Sequence, residues 1–219
     1  MAWLPAGASG IAGQVDSLFY WILGITGFFL VLVLGALLYA AFRFREGRVQ
    51  KARYGTGSPR AEFAVGGIVT LILLAIALYS DRLWGEIKSP VAGDAFVVRV
   101  EPRQFQWDVR YAGADGLFDT PDDVKKINQL RLPRDRWCRI EMDAQDVIHS
   151  FFVPEFRIKQ DAVPGMRSTI LVMPSDTGTF EIACAELCGL AHYRMRGKLT
   201  VMEPAEFGIW YDSLVGNAR

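Results

Sequence analysis

The 219-residue chain has little histidine, little cysteine and no net charge. Its histidines are His149 and His192, and its cysteines are Cys138, Cys184 and Cys188. An odd, small set of cysteines is not the framework of a disulfide-stapled domain. The thiolates needed for a four-cysteine zinc or iron–sulfur site are missing. Lys+Arg and Asp+Glu both number 24, so the charge total points to no polyanionic partner, and no nucleic acid is expected. No Cys-x-x-Cys-His is present for covalent haem attachment. Residues 1–17 contain no Lys or Arg, so the start lacks the basic region of an ordinary cleaved signal peptide. The first apolar run is therefore expected to be a retained anchor.

Long apolar runs are what the chain does have. Leu18 to Phe42 contains no charged residue. At about 1.5 Å rise per residue it is long enough to cross a hydrocarbon core of ~30 Å with some tilt. Phe63 to Ser80 is a second uncharged run, bracketed by Glu62 and Asp81. It is short for a span, and a buried core helix is the competing reading. Between the runs lie Arg43, Arg45, Arg48, Lys51, Arg53 and Arg60 against Glu46 and Glu62. The positive-inside rule puts this loop in the cytoplasm and both chain ends outside. Tyr79 and Trp84 stand where an interfacial aromatic belt is expected. Residues 1–90 are thus expected to be a membrane anchor.

From about residue 91 the pattern changes to period two. Cys138, Ile140 and Met142 alternate with Arg139 and Glu141; Phe180, Ile182 and Cys184 alternate with Glu181 and Ala183; Leu199 and Val201 alternate with Lys198 and Thr200. Such runs, separated by Pro, Gly and Asp clusters, predict an antiparallel sandwich or barrel over residues 91–219. Pro204 followed by Phe207, Trp210, Tyr211 and Leu214 predicts a short amphipathic helix at the C-terminus. The Gly- and Asp-rich segment Ala112 to Asp123 is expected to be a solvated hairpin loop, since its spacing is not that of a twelve-residue calcium loop.

The stretch Cys184-Ala-Glu-Leu-Cys188-Gly-Leu-Ala-His192-Tyr-Arg-Met195 gathers two thiols, an imidazole and a thioether. Thiolate and thioether are soft donors that favour copper, and imidazole binds copper well. A single blue-copper ion uses one cysteine, so two suggest a pair of bridging thiolates shared by two metals. Such a centre implies electron transfer and needs another terminal nitrogen, for which His149 is the remaining candidate. Other readings stay open on these residues alone: a disulfide between Cys184 and Cys188, a zinc site, or a His149 that is a satisfied core residue. Cys138 is in phase with Ile140 and Met142 and reads as a buried apolar cysteine.

Cys-x3-Cys-x3-His-x2-Met resembles the copper pattern of cytochrome c oxidase subunit II, a haem–copper oxidase family with a dinuclear copper (CuA) centre. The resemblance extends to Asp146-Val-Ile-His149-Ser-Phe, Gln104-Phe105-Gln106-Trp107 and Lys159-Gln-Asp161-Ala-Val-Pro164-Gly165. It implies a two-helix hairpin followed by an all-β cupredoxin-like Greek-key barrel with a short C-terminal helix. It implies Cys184 and Cys188 as bridging thiolates, and His149 and His192 as terminal nitrogens. Met195 and the Glu186 carbonyl would be the remaining donors, with the Glu186 carboxylate on a Mg²⁺ shared with subunit I. Asp146 matches an acidic residue near the cytochrome c docking face, and Glu62 a glutamate near a proton-uptake path. Subunits I and III, cytochrome c and membrane lipid are the partners implied, and a bacterial inner membrane the location, with the copper domain periplasmic. The sequence departs from the family in lacking Trp-Thr-x-x-Pro in the second span, and in carrying Phe105 where a tryptophan is usual. Phe105 is expected to be the contact for the donor, and Trp107, on the same strand face, a packing residue. From other classes, a membrane-tethered copper chaperone would have one span and an αβ domain. A quinol oxidase subunit would lack the copper ligands, and a nitrous oxide reductase would be a much longer soluble chain.

Overall fold

Both apolar runs are helices, and both exceed their uncharged windows. The computed structural model describes residues 3–47, 54–88 and 95–216. Helix α1 is Ala12–Arg43 and α2 is Pro59–Lys88. Pro59 suits a first helical position, where its missing N–H has no partner to lose. The flanks that extend each helix are polar: Gln14 and Asp16 before the first run, and Asp81, Arg82, Glu86 and Lys88 after the second. Helical hydrogen bonding continues beyond the apolar stretch because water can solvate these side chains. The apolar side chains themselves are open, Val31 at 72% and Leu71 at 66% exposed. A core helix would bury them, so these two helices have the length and composition of membrane spans. Arg48, Lys51 and Arg53 of the basic loop lie outside the described residues.

Among the described residues the β domain has ten strands. In chain order they are β1 Phe96–Arg103, β2 Gln106–Tyr111, β3 Val124–Ile127, β4 Gln129–Pro133, β5 Cys138–Met142, β6 His149–Val153, β7 Ile158–Ala162, β8 Ser168–Val172, β9 Gly178–Cys184 and β10 Arg196–Met202. They form two five-stranded sheets, ordered β3-β2-β1-β5-β8 and β4-β10-β9-β6-β7. Most neighbours are antiparallel, but β1–β5 and β4–β10 are parallel. Period-two patterning cannot tell a parallel from an antiparallel neighbour, which is why the sequence suggested antiparallel pairing throughout. The result is a two-sheet, cupredoxin-like domain. Its inner faces follow the alternation: Phe96, Val98 and Val100 of β1, Cys138, Ile140 and Met142 of β5, and Leu199 and Val201 of β10 are all buried. Trp107 is fully buried at the centre, edge-on to Phe151 with centroids 5.6 Å apart. Helix α3, Pro204–Gly216, closes one side by packing Phe207 and Tyr211 on Phe96, at 5.0 and 5.5 Å.

Two further features adjust the sequence reading. The segment 112–123 joins β2 to β3 as a hairpin loop whose middle is exposed to solvent, as expected, while Asp119 ties it to the sheet. Asp119 accepts from Arg99 at 2.6 Å and from Arg110 at 2.7 Å, while the Arg99 guanidinium lies 4.4 Å from the Phe118 ring centre. The chain also divides into two compact units, and the N-terminal segment up to Gly13 belongs with the β domain instead of with the helices. There the Ala8 N–H donates to the Glu155 carbonyl, the Ser9 hydroxyl to the Phe156 carbonyl, and the Gly10 N–H to the Met173 carbonyl.

Candidate metal centre

Three adjacent strands, β10, β9 and β6, bring the candidate ligands together. Cys184 ends β9, and residues 185–195 connect it to β10. Pairing of Ala183 with Arg196 continues into a Cys184 N–H to Met195 carbonyl bond of 3.2 Å, so the two ends of the loop are pinned side by side. Inside the loop, a 3-10 turn at His192–Arg194 is held by the His192 N–H on the Gly189 carbonyl and the Met195 N–H on the His192 carbonyl. That turn carries His192 back over Cys188. His149 opens β6, which pairs with β9 in register Phe151 to Cys184. A second bond, from the Ala185 N–H to the Ser150 carbonyl, ties the loop to β6.

The donor atoms form two similar halves. Cys184 Sγ lies 3.9 Å from His149 Nδ1 and 3.2 Å from the Glu186 carbonyl. Cys188 Sγ lies 3.6 Å from His192 Nδ1 and 3.8 Å from Met195 Sδ. The two sulfurs are 3.8 Å apart and both thiols are free. His149, Cys184 and Cys188 each offer one ligand atom within 4.8 Å of the others. Two donors bonded at ~2.0–2.3 Å to one tetrahedral metal stand roughly 3.3–3.8 Å apart. The observed spacings approach that range, and the donor set suits copper.

Electrostatics follow from the same contacts. Asp146 Oδ1 is 2.8 Å from His149 Nε2. A carboxylate only accepts, so Nε2 is protonated; Nδ1 faces the sulfurs, donating to Cys184 while the ring is charged and offering its lone pair once the ring is neutral. Burial works against a charged His149, but Cys184 and Asp146 outweigh it and raise its pKa. Burial likewise opposes ionisation of Cys184, yet hydrogen bonds from His149 and from backbone donors pull it down to about 6. Burial, and then repulsion from Cys184, push Cys188 up to about 11. The pair thus releases one proton easily and holds the second.

The remaining sequence candidates separate. Trp107 is fully buried, while Phe105 is half-buried and occupies the β1–β2 turn. The strand-face relation expected between them does not apply, because Phe105 is not in a strand. The Glu186 side chain is exposed beside the cluster. Asp146 uses both carboxylate oxygens internally. Glu62 lies in the first turn of α2, where a carboxylate complements the helix dipole. Cys138 is fully buried in β5, away from the ligand loop, with burial pushing its thiol up to about 12. Sequence reasoning gave no role to Gln104, which touches both the Asp146 and Cys188 segments. It also passed over the exposed Leu187, Leu190 and Tyr193 of the ligand loop, 78%, 95% and 72% open. Their mark in the sequence was large apolar residues between the metal-binding positions.

Comparison with known proteins agrees with this geometry. The chain is 32% identical over 237 residues to the alternative cytochrome c oxidase subunit 2 of Bradyrhizobium diazoefficiens, covering 96% of this chain and 83% of that one. This chain belongs to the cytochrome c oxidase subunit II family. The family's periplasmic domain matches residues 97–201. Subunit 2 of Synechocystis sp. is 28% identical over 256 residues, 94% of this chain and 74% of its own. The fold also matches the crystal structure of the periplasmic domain of subunit II of cytochrome oxidase from Bradyrhizobium japonicum, with a TM-score of 0.51 and 24% identity over 59% of this chain and 99% of that one. As a subunit II, the chain is part of a haem–copper oxidase, with two candidate spans and a periplasmic-type copper domain. The two-sheet domain removes the copper-chaperone alternative, whose domain would be thioredoxin-like.

Proposed function

We propose that this subunit II receives electrons from cytochrome c at a dinuclear copper (CuA) centre and delivers them to the haem of subunit I, where oxygen is reduced to water with proton translocation. The observation that carries this is the paired donor set. Each sulfur has its own imidazole, at 3.9 and 3.6 Å, and its own third donor, so the residues supply two half-sites and not one. Cys184 and Cys188 would bridge, His149 and His192 would be terminal ligands, and Met195 and the Glu186 carbonyl would complete the halves. Two coppers so held supply reversible one-electron storage. The chain's own contribution is rigidity: the ligand loop is pinned at both ends, and His149 and Met195 are buried.

Other roles follow from placement. The exposed Glu186 carboxylate is available to a Mg²⁺ shared with subunit I. Leu187, Leu190 and Tyr193 give the loop an apolar outer surface, with Phe105 as the proposed donor contact at its side. Subunits I and III and lipid would cover the apolar helices. The chain ends and copper domain are proposed to be periplasmic and the 43–60 loop cytoplasmic; the bonding of residues 8–10 to the β domain supports a shared side. Glu62 is proposed for proton uptake from the family match alone.

The test is electron transfer from reduced cytochrome c into the assembled oxidase by stopped flow. Cys184→Ser and Cys188→Ser should abolish the fast phase while Cys138→Ser retains it. Equal fast phases in all three would remove the centre from the pathway.

A further inference from the structure

The β1–β2 turn touches both halves of the metal site, although it supplies no ligand. The Gln104 backbone N–H donates to Asp146 Oδ2 at 2.7 Å. Asp146 Oδ1 accepts from His149 Nε2 at 2.8 Å and from the Val147 N–H at 2.7 Å. The Gln104 side-chain amide donates to the Cys188 carbonyl. Gly189 makes this approach feasible: a Cβ there would stand 2.6 Å from Gln104 Nε2 and 3.2 Å from the Phe105 ring.

We propose that Gln104 and Asp146 form a brace that positions His149 and Cys188 against each other, Asp146 acting through the imidazole and Gln104 through the Cys188 backbone. The proposal rests on reading the cluster as a copper site. Its physical content is orientation. With both oxygens engaged, the Asp146 carboxylate cannot swing, so the His149 ring is held with Nδ1 toward the sulfurs. His149 comes from β6 and Cys188 from the β9–β10 loop, and Gln104 bonds to both segments from a third place in the chain. This makes Asp146 a positioning residue first. Its carboxylate makes all three of these bonds while its side chain stays 33% exposed, so positioning and docking are separated by the test below. Partners of this kind, one step behind a metal ligand, typically change metal affinity by about 10–100-fold when removed.

The test uses the full-length chain in detergent, with copper. Asp146→Ala and Gln104→Ala should still load copper at saturation but release it to a chelator about 10–100-fold faster than wild type. Asp146→Asn keeps one acceptor and should fall between alanine and wild type. The nitrogen hyperfine coupling of His149 should change in the Asp146 variants. A carboxylate that serves only docking would leave release and hyperfine coupling at wild-type values and alter only association with cytochrome c, which overturns the brace. If Asp146→Ala fails to fold, Asp146→Asn and Gln104→Glu are read by the same measurements, Gln104→Glu losing the donor to Cys188. In the copper-free wild-type chain, ¹⁵N shifts should show His149 Nε2 protonated; an unprotonated Nε2 overturns the brace whatever the copper result. A wild-type chain that takes up no copper overturns the site reading, and the brace with it.

Discussion

Replacing Gly189 by alanine tests how closely the β1–β2 turn presses on the ligand loop. Two costs add. Gly189 sits at φ +135°, a conformation L side chains rarely adopt, which costs about 1–3 kcal/mol for a residue with a Cβ. The new methyl would also stand 2.6 Å from Gln104 Nε2. The end of a glutamine can move away, but it then gives up its bond to the Cys188 carbonyl, worth about 0.5–1.5 kcal/mol. The Phe105 ring, 3.2–3.3 Å from the same point, must shift as well. The sum is about 2–4 kcal/mol. At roughly 2–4 °C per kcal/mol for a protein of this size, the β domain should melt about 4–16 °C lower. Gly116 is the control: it also has positive φ, +71°, but nothing lies within 4 Å of its notional Cβ, so alanine there should cost about 1–2 kcal/mol. The assay is thermal melting of the copper-free full chain in detergent, followed by near-ultraviolet circular dichroism. Equal losses for Gly189→Ala and Gly116→Ala would refute the close packing of turn on loop.

Three further outcomes follow from the site. Trp107→Ala should destabilise the β domain by about 3–5 kcal/mol in a denaturant titration, while Phe105→Ala should slow electron arrival from cytochrome c with the copper spectrum unchanged; a slow, well-folded Trp107 variant with a fast Phe105 variant would reverse these roles. In the copper-free chain Cys184, pulled down to about 6, should alkylate with a midpoint near pH 6, and Cys188, pushed up to about 11, only in strong alkali. The signs differ: the Cys184 thiolate stabilises the fold fully above its ordinary 9.0 and loses this as pH falls through about 6, whereas the Cys188 contribution is present below 9.0 and lost as pH rises through about 11. Glu186→Gln should lower Mg²⁺ or Mn²⁺ occupancy of the assembled complex and spare copper, since only a backbone carbonyl faces the cluster; copper loss with unchanged Mg²⁺ would contradict this.

The sequence carried most of the fold because its two periodicities are strong and distinct. Uncharged runs mark α1 and α2, and period-two alternation marks β5, β9 and β10. It missed the helix flanks, where hydrogen bonding outlasts apolarity, and the parallel pairs β1–β5 and β4–β10, since alternation specifies faces and not neighbours. It also missed the N-terminal segment on the β domain, whose bonds to it are mostly backbone to backbone, beside the Ser9 hydroxyl and the Arg157 guanidinium, and so leave little trace in side-chain identity. The ligand loop was legible because its donors are rare residue types in one stretch. Asp146 and Gln104 stood out only as parts of family motifs, Asp146 as a docking acid; their bonds to the metal-site segments were not legible, since an acid three residues before a histidine and a glutamine in a turn are common. The contacts that suggest the brace, the Asp146 carboxylate on His149 and the Gln104 amide on Cys188, appear only in the structure.

The most direct measurement is copper content together with electron paramagnetic resonance of the oxidised full-length chain. The account predicts two coppers per chain and a hyperfine pattern from one unpaired electron shared by both nuclei, lost in Cys184→Ser and Cys188→Ser and kept in Cys138→Ser. One copper per chain with a single-nucleus pattern, or zinc in its place, would contradict it.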